Sequence, residues 1–187
     1  MKAFLKTLEI LSTEDLNRID GLIHHKKLKK GEYLIREGWV CKEIAWIKKG
    51  MLRSFWINKK GDEITNCIAF DNEPMAAFSS YITQLPTEEN IQAMCDVELE
   101  MISKTDLLNL YKTSSAWQEV GRILTEMQYL ELEKRVMAFQ KMTAVERYQQ
   151  LLLHHERYLQ FISVQNLASY LGITTRHLNR IRKQVAF

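Results

Sequence analysis

The sequence predicts an α+β protein. Its parts are an antiparallel β-roll of jelly-roll type with flanking helices, a long dimer helix, and a small helix-turn-helix domain lacking a wing. Three observations carry this reading. Short apolar runs punctuated by turn residues fill the stretch from Gly31 to Ile102. A segment from Ser115 to Met142 has no Pro and a single Gly, Gly121. The segment VQNLASYLGITTRHLNRIRK, residues 164–183, places a small residue, a Gly and a set of apolar pins where two short helices must cross at a turn. The expected divisions are 1–114, 115–142 and 143–187.

Taken in order, residues 4–27 read as helical, with Leu5, Leu8, Ile10, Leu11, Leu16, Ile19, Leu22 and Ile23 at mixed three- and four-residue spacings. Ser12 or Thr13 is the expected cap of a second helix, since Glu14 and Asp15 then favour its positive end. Strands are expected at Tyr33–Ile35, Ile44–Ile47, Leu52–Ile57, Ile64–Phe70, Ile91–Met94 and Val97–Ile102. Asn58 to Asp62 is the best hairpin turn, because Asn and Gly tolerate positive φ. Ser103 or Thr105 caps a helix running to about Lys112. In the long helix that follows, Val120, Ile123, Met127, Leu130 and Met137 keep the alternating three–four spacing of a coiled-coil seam, with Lys134 interrupting it. That pattern fits a dimer helix and a helix packed on its own domain equally well. Helices over 145–159, 164–171 and 175–183 complete the chain.

Composition narrows the function. The 187 residues are 46% hydrophobic and 26% charged, ordinary for a globular protein. No apolar run approaches the roughly 18 residues of a membrane span, and the N-terminus does not read as a secretory signal. Cys41, Cys67 and Cys95 are sparse and odd in number, which suggests reduced thiols and a cytoplasmic location rather than bridges or a zinc framework. Residues 141–187 carry a net charge of +5 and residues 1–140 a net of −2, with no acidic residue after Glu156. A basic C-terminus is the electrostatic footprint of a nucleic-acid reader. In the segment 164–183, Ala168 is the small contact residue and Gly172 the turn. Leu167, Leu171, Ile173, Leu178 and Ile181 are the pins. Ser163 is the expected cap of the first helix, and Thr174 or Thr175 of the second. The exposed face of that second helix would present Arg176, Asn179 and Arg180 to base edges, with Thr175 beside them. Thr174, Arg182 and Lys183 are better placed for phosphates.

This layout resembles the Crp/Fnr family of bacterial transcription regulators: a helical start, a cyclic-nucleotide-binding-like β-roll, a dimer helix and a helix-turn-helix. The carriers are Lys30-Gly31-Glu32-Tyr33-Leu34-Ile35-Arg36-Glu37-Gly38 and Ile47-Lys48-Lys49-Gly50-Met51-Leu52-Arg53, together with the C-terminal motif, so the likeness covers about residues 10–183. In cyclic-nucleotide binders of this family a Gly-Glu pair holds the ribose, and an Arg followed by Ser or Thr holds the phosphate. Here Asn72-Glu73 and Thr87-Glu88 stand at those places, so the cation is missing. From residue 61 to 103 there are nine acidic residues and no Lys or Arg. A phosphate brought within 4 Å of a carboxylate would meet repulsion of about 4 kcal/mol at an effective dielectric near 20. Arg53 or Arg122 would have to supply the cation from elsewhere. No cofactor is therefore expected, and cyclic AMP or cyclic GMP is disfavoured as the effector. In the recognition helix the family's Arg-Glu pair is matched by Thr175-Arg176, while Arg180 matches a base-contacting Arg, which implies a different operator. The cysteines do not supply the four ligands of the iron–sulfur branch.

The resemblance implies a homodimeric, effector-sensing regulator of transcription, with recognition helices about 34 Å apart. Its implied partners are double-stranded DNA, a second copy, RNA polymerase and an unidentified small molecule, with no membrane. The alternative is a ligand-sensing or interaction module with a vestigial helix-turn-helix, which the short tail after Lys183 favours. An enzyme is not expected. No His occurs between His25 and His154, so no strand offers a His-carboxylate metal set or a nucleophile–His pair. The pairs His24-His25 and His154-His155 are expected on helices, where adjacent side chains diverge by about 100° and do not form a shared metal site.

Overall fold

A computed structural model describes residues 1–185. The first helices are short: α1 spans Lys2–Thr7 and α2 spans Thr13–Asp20. Ser12 closes α2 with a capping box, accepting from the Asp15 N–H while the Asp15 carboxylate accepts from its own N–H. The helix expected over residues 4–27 ends there. His24–Leu28 is strand β1, so His24 and His25 stand on a strand, not a helix. Its long-range partner is β8, to which it pairs with His24 opposite Met101 and Leu28 opposite Val97. That pairing outweighs a local apolar spacing compatible with either state. β1 is a sheet edge, and Lys26 and Lys27 protect it from further pairing.

The predicted strands form at β2 Tyr33–Ile35, β3 Glu43–Lys49, β4 Leu52–Ile57, β5 Glu63–Ala69, β7 Asn90–Ala93 and β8 Val97–Ser103. Two elements between β5 and β7 were not predicted: β6, Pro74–Met75, and helix α3, Phe78–Thr83. The strands make two antiparallel four-stranded sheets, β1-β8-β3-β6 and β2-β7-β4-β5. The β4–β5 hairpin turns at Asn58, whose N–H donates to the Asp62 carbonyl while its side-chain oxygen accepts from the Lys60 and Asp62 N–H groups. Between the sheets lie Ala45, Ile47, Leu52, Ile91 and Leu99, all buried. Each large member contributes about 1.5–3 kcal/mol of burial.

Ser103 caps helix α4, Lys104–Thr113, and α5 then runs 27 residues, Ser115–Lys141. The start of α5 belongs to the roll: Trp117 and Val120 are buried in its core. Val120 is therefore not free to pack against a partner, which corrects its place in the predicted seam. Gly121 has a packing reason, since a Cβ there would lie 2.5 Å from the Tyr111 hydroxyl. Ile123 is half-buried, and Met127, Leu130 and Met137 are exposed. A second exposed stripe, Tyr129, Leu132, Val136 and Phe139, runs two residues out of phase, about 200° around the helix. It was not anticipated.

Thr143 opens α6, Ala144–Leu159, with a second capping box through Glu146. The helix kinks at His155, whose φ and ψ are −137° and 26°. Helices α7, Val164–Leu171, and α8, Thr175–Val185, follow. A second core joins these helices to the roll. Met51, Ile68, Phe70 and Met94, from the roll, pack with Tyr148, Leu151, Tyr158, Leu167, Leu171 and Leu178. Of the tail predicted to lack a wing, Ala186 and Phe187 lie outside the described residues.

Candidate nucleic-acid interface

The crossing of α7 and α8 is built by local chemistry. The Ser163 hydroxyl accepts from the Asn166 N–H at 3.1 Å and starts α7. Gly172 ends it at φ +69°, a conformation that costs other residues but not Gly. Its N–H donates to Ser169 and that of Ile173 to Ala168, both at 3.0 Å, closing the turn. Thr174, of the two threonines considered, caps α8 by accepting from the His177 N–H at 3.2 Å. Leu167, Ala168, Leu171, Leu178 and Ile181 are buried, and Ile173 is half-buried.

That packing leaves one face of α8 outward. Thr175, Arg176, Asn179, Arg180 and Lys183 line a single open groove. Their three- and four-residue offsets put them on one helix face. Thr174 is exposed at the helix start, and Arg182 is half-buried at the side. Among the described residues no acidic group pairs with Arg176, Arg180, Arg182 or Lys183. Four cations, an amide and the Thr175 hydroxyl thus share α8, and among the described residues their donors are uncommitted to other side chains.

The motif is seated on the roll by polar as well as apolar contacts. Arg53 on β4 is 2% exposed. It donates to Asn166 on α7 at 2.6 Å, pairs with Glu63 on β5 and lies 3.9 Å over the Phe55 ring. Ser169 on α7 accepts from the Thr65 N–H at 2.8 Å. Arg157 pairs with Asp71, and His155 stacks on Phe70 with ring centroids 3.7 Å apart. Arg53 is thus committed to the helix-turn-helix, which corrects its expected role as a cation reaching into the sensor pocket.

The other sensor candidates are dispersed, and no hydrogen bond or ion pair joins any two of the six. Asn72 sits at φ +65° in the β5–β6 turn. Glu73 accepts from the Phe70 N–H at 2.9 Å, and burial pushes its carboxyl above the ordinary range, with Glu131 and Asp71 adding to the shift. Arg122 is exposed on α5 and paired with Glu126 at 2.6 Å and Glu119 at 3.6 Å. Thr87 is buried, with its N–H on the Trp39 carbonyl, and Glu88 is exposed. The neighbouring Glu89 was missed. It is half-buried, accepts from the Ser54 hydroxyl, and burial raises its pKa. Only its place beside Thr87 in the sequence could have signalled it.

Among the described residues no group of three or more His, Cys, Asp or Glu could hold a metal ion. Burial raises all three thiols, Cys67 to about 11, the reverse of what a reactive thiolate needs. No described helix is long and apolar enough to cross a membrane.

Residues 25–114 match the family model described as cyclic nucleotide-binding domain. No curated protein matches the chain. Among solved structures, FixK2 from Bradyrhizobium japonicum aligns at 15% identity with a TM-score of 0.76, over 88% of this chain and 84% of that one. A putative transcriptional regulator of the Crp/Fnr family from Eubacterium rectale aligns at 19% and 0.71, over 95% and 84%. The c-di-GMP responsive global regulator CLP of Xanthomonas campestris aligns at 16% and 0.67, over 94% and 92%.

Proposed function

With residues 25–114 matching the cyclic nucleotide-binding domain family and 95% of the chain sharing the fold of a putative Crp/Fnr regulator, we propose that this protein is a DNA-binding transcription regulator of that type. In this reading two copies pair along α5 and their α8 helices read two half-sites of a pseudo-palindromic operator. The observation that supports it best is the unpaired cationic face of α8. Arg176 and Arg180 donate in pairs to guanine edges and Asn179 pairs with adenine, while Thr174, Arg182 and Lys183 hold phosphates. Thr175 stands at the groove's entrance.

The roll is the sensor, with RNA polymerase as the downstream partner. Among the described residues no cation is joined to Asn72, Glu73, Thr87 or Glu88, which favours an effector other than a cyclic nucleotide. A sensor works as a switch only if the effector binds two states of the chain with different affinity.

Fluorescence anisotropy on labelled duplex across a salt series tests the reading. Affinity should fall with salt at a slope no steeper than about −4 per copy, one counterion released per α8 cation. Arg180→Ala should cost about 1–3 kcal/mol on a selected operator and much less on random duplex. Equal losses on both would remove the base-reading role. Absence of any salt-sensitive affinity would favour the interaction module.

A further inference from the structure

The far end of α5 meets the helix-turn-helix at an unusual joint. Gly172 has no side chain, and a Cβ built there would lie 2.7 Å from Cε1 of Phe139, so the Phe139 ring occupies that space. Two guanidiniums approach the ring, Arg135 with its carbon 5.0 Å from the centroid and Arg147 at 4.8 Å. Each also ties down the end of α7. Arg135 donates to the Tyr170 carbonyl at 3.1 Å, and Arg147 to the Leu171 carbonyl at 2.9 Å and the Met142 carbonyl at 2.6 Å. The last carbonyls of a helix have no partner within it, and here α5 and α6 supply the donors. Arg135 lies over the Tyr170 ring as well, at 4.2 Å.

Burial alone does not account for this arrangement. Phe139 remains 42% exposed, so it adds little to the core. Two like charges are held close with no carboxylate paired to either among the described residues, an arrangement that repels in water. Both guanidiniums lie within 5.0 Å of the ring centroid, an attraction that offsets part of that repulsion and is lost with the ring.

We propose that Phe139 is a positioning residue: seated against Gly172 and beside Arg135 and Arg147, it fixes the α7–α8 turn to the last turns of α5, so that α5 carries the recognition helix as one body. This inference rests on the DNA-reading function proposed above. Two half-sites at a fixed separation are engaged together only if each α8 is held at a fixed angle to its α5. One half-site makes no such demand.

The test compares Phe139→Ala, Phe139→Tyr and the unaltered chain on two duplexes. One is selected from a randomised pool by the unaltered chain, and the other is the same duplex with one half scrambled. Phe139→Ala should weaken binding to the intact duplex at least tenfold and to the half-scrambled one less than twofold. Phe139→Tyr should restore the first. Sedimentation and thermal melting should show the oligomeric state and the roll unchanged. Equal losses on both duplexes, loss on neither, or loss of self-association would overturn the proposal. Amide hydrogen exchange is measured in parallel and needs no DNA. The Gly172 and Ile173 amides should exchange at least tenfold faster in Phe139→Ala, while that of Ile181 is unaltered. Unchanged exchange at the turn would overturn the positioning role even if the chain selects no duplex. Faster exchange without duplex selection would keep the positioning role and reject the DNA reading.

Discussion

Replacing Arg53 separates the cost of its charge from the value of its stem. The guanidinium is buried between β4 and α7, with Glu63 and Asn166 as close partners and Thr65 and Gln92 at 3.4 and 3.5 Å. Its Nε has no partner. Removing one member of a buried pair costs about 3–5 kcal/mol, because the other is left uncompensated. Glu63 is 41% exposed and can rehydrate, which puts this loss at the low end, about 3 kcal/mol. Arg53→Ala also removes two buried methylenes, Cγ and Cδ, about 1.6 kcal/mol at 0.8 each, so its total is roughly 4–5 kcal/mol. Arg53→Met leaves Glu63 and Asn166 as uncompensated as Ala does but keeps most of the apolar volume, so it should cost about 3 kcal/mol. Urea unfolding followed by tryptophan emission reads this directly, since Trp56 lies on the same strand. With a slope near 2 kcal/mol/M, Ala should lower the midpoint by about 2.3 M and Met by about 1.5 M. If Met proves neutral the pairing contributes nothing, and if Met proves as costly as Ala the stem contributes nothing; either result refutes the reasoning.

Two further outcomes follow from single contacts. Gly121→Ala gains about 1 kcal/mol of helix propensity, but the new Cβ overlaps the Tyr111 ring and hydroxyl, an overpacking that costs about 1–3 kcal/mol. Thermal unfolding should show a net loss, and Tyr111→Leu in the same chain should convert it to a gain. Burial, then His154 and Arg157, holds the pKa of His155 below its ordinary value while the ring stacks on Phe70. The unfolded chain therefore takes up the proton first. The contribution is complete above about pH 6.5 and declines as pH falls below it. His155→Gln should flatten the fall in urea midpoint between pH 7.5 and 5.5, and an unchanged slope would locate it elsewhere.

What the sequence made legible was what local chemistry dictates. Ser12, Ser103, Ser163 and Thr174 cap helices because their hydroxyls reach N–H groups three residues on. Gly172 ends α7 because it alone there takes φ +69° without strain. The misread parts depend on distant partners. β1 is a strand because β8 lies beside it. β6 is two residues long and has no periodicity to detect. Val120 fits a seam by spacing, yet it is buried with Trp117 in the roll, since a coiled-coil stripe and a core-facing stripe share their first residues. Phe139 reads as one more apolar residue until Gly172 is brought against it.

Charge counting shows the same division. The net of +5 over the last 47 residues suggests a broad basic surface, but Arg147 is bound to two carbonyls and Arg157 to Asp71. What remains on α8 is Arg176, Arg180, Arg182 and Lys183, and among the described residues no carboxylate pairs with any of them. Arg53 is the converse case. It was expected to carry charge into the sensor, and it is instead consumed by Glu63 and Asn166 at the seat of α7. An arginine's role is set by which acceptors reach it, and those acceptors lie 10 and 113 residues away. The distinction between a committed and an open cation therefore arises only when the chain folds, even though every one of these residues is visible in the sequence.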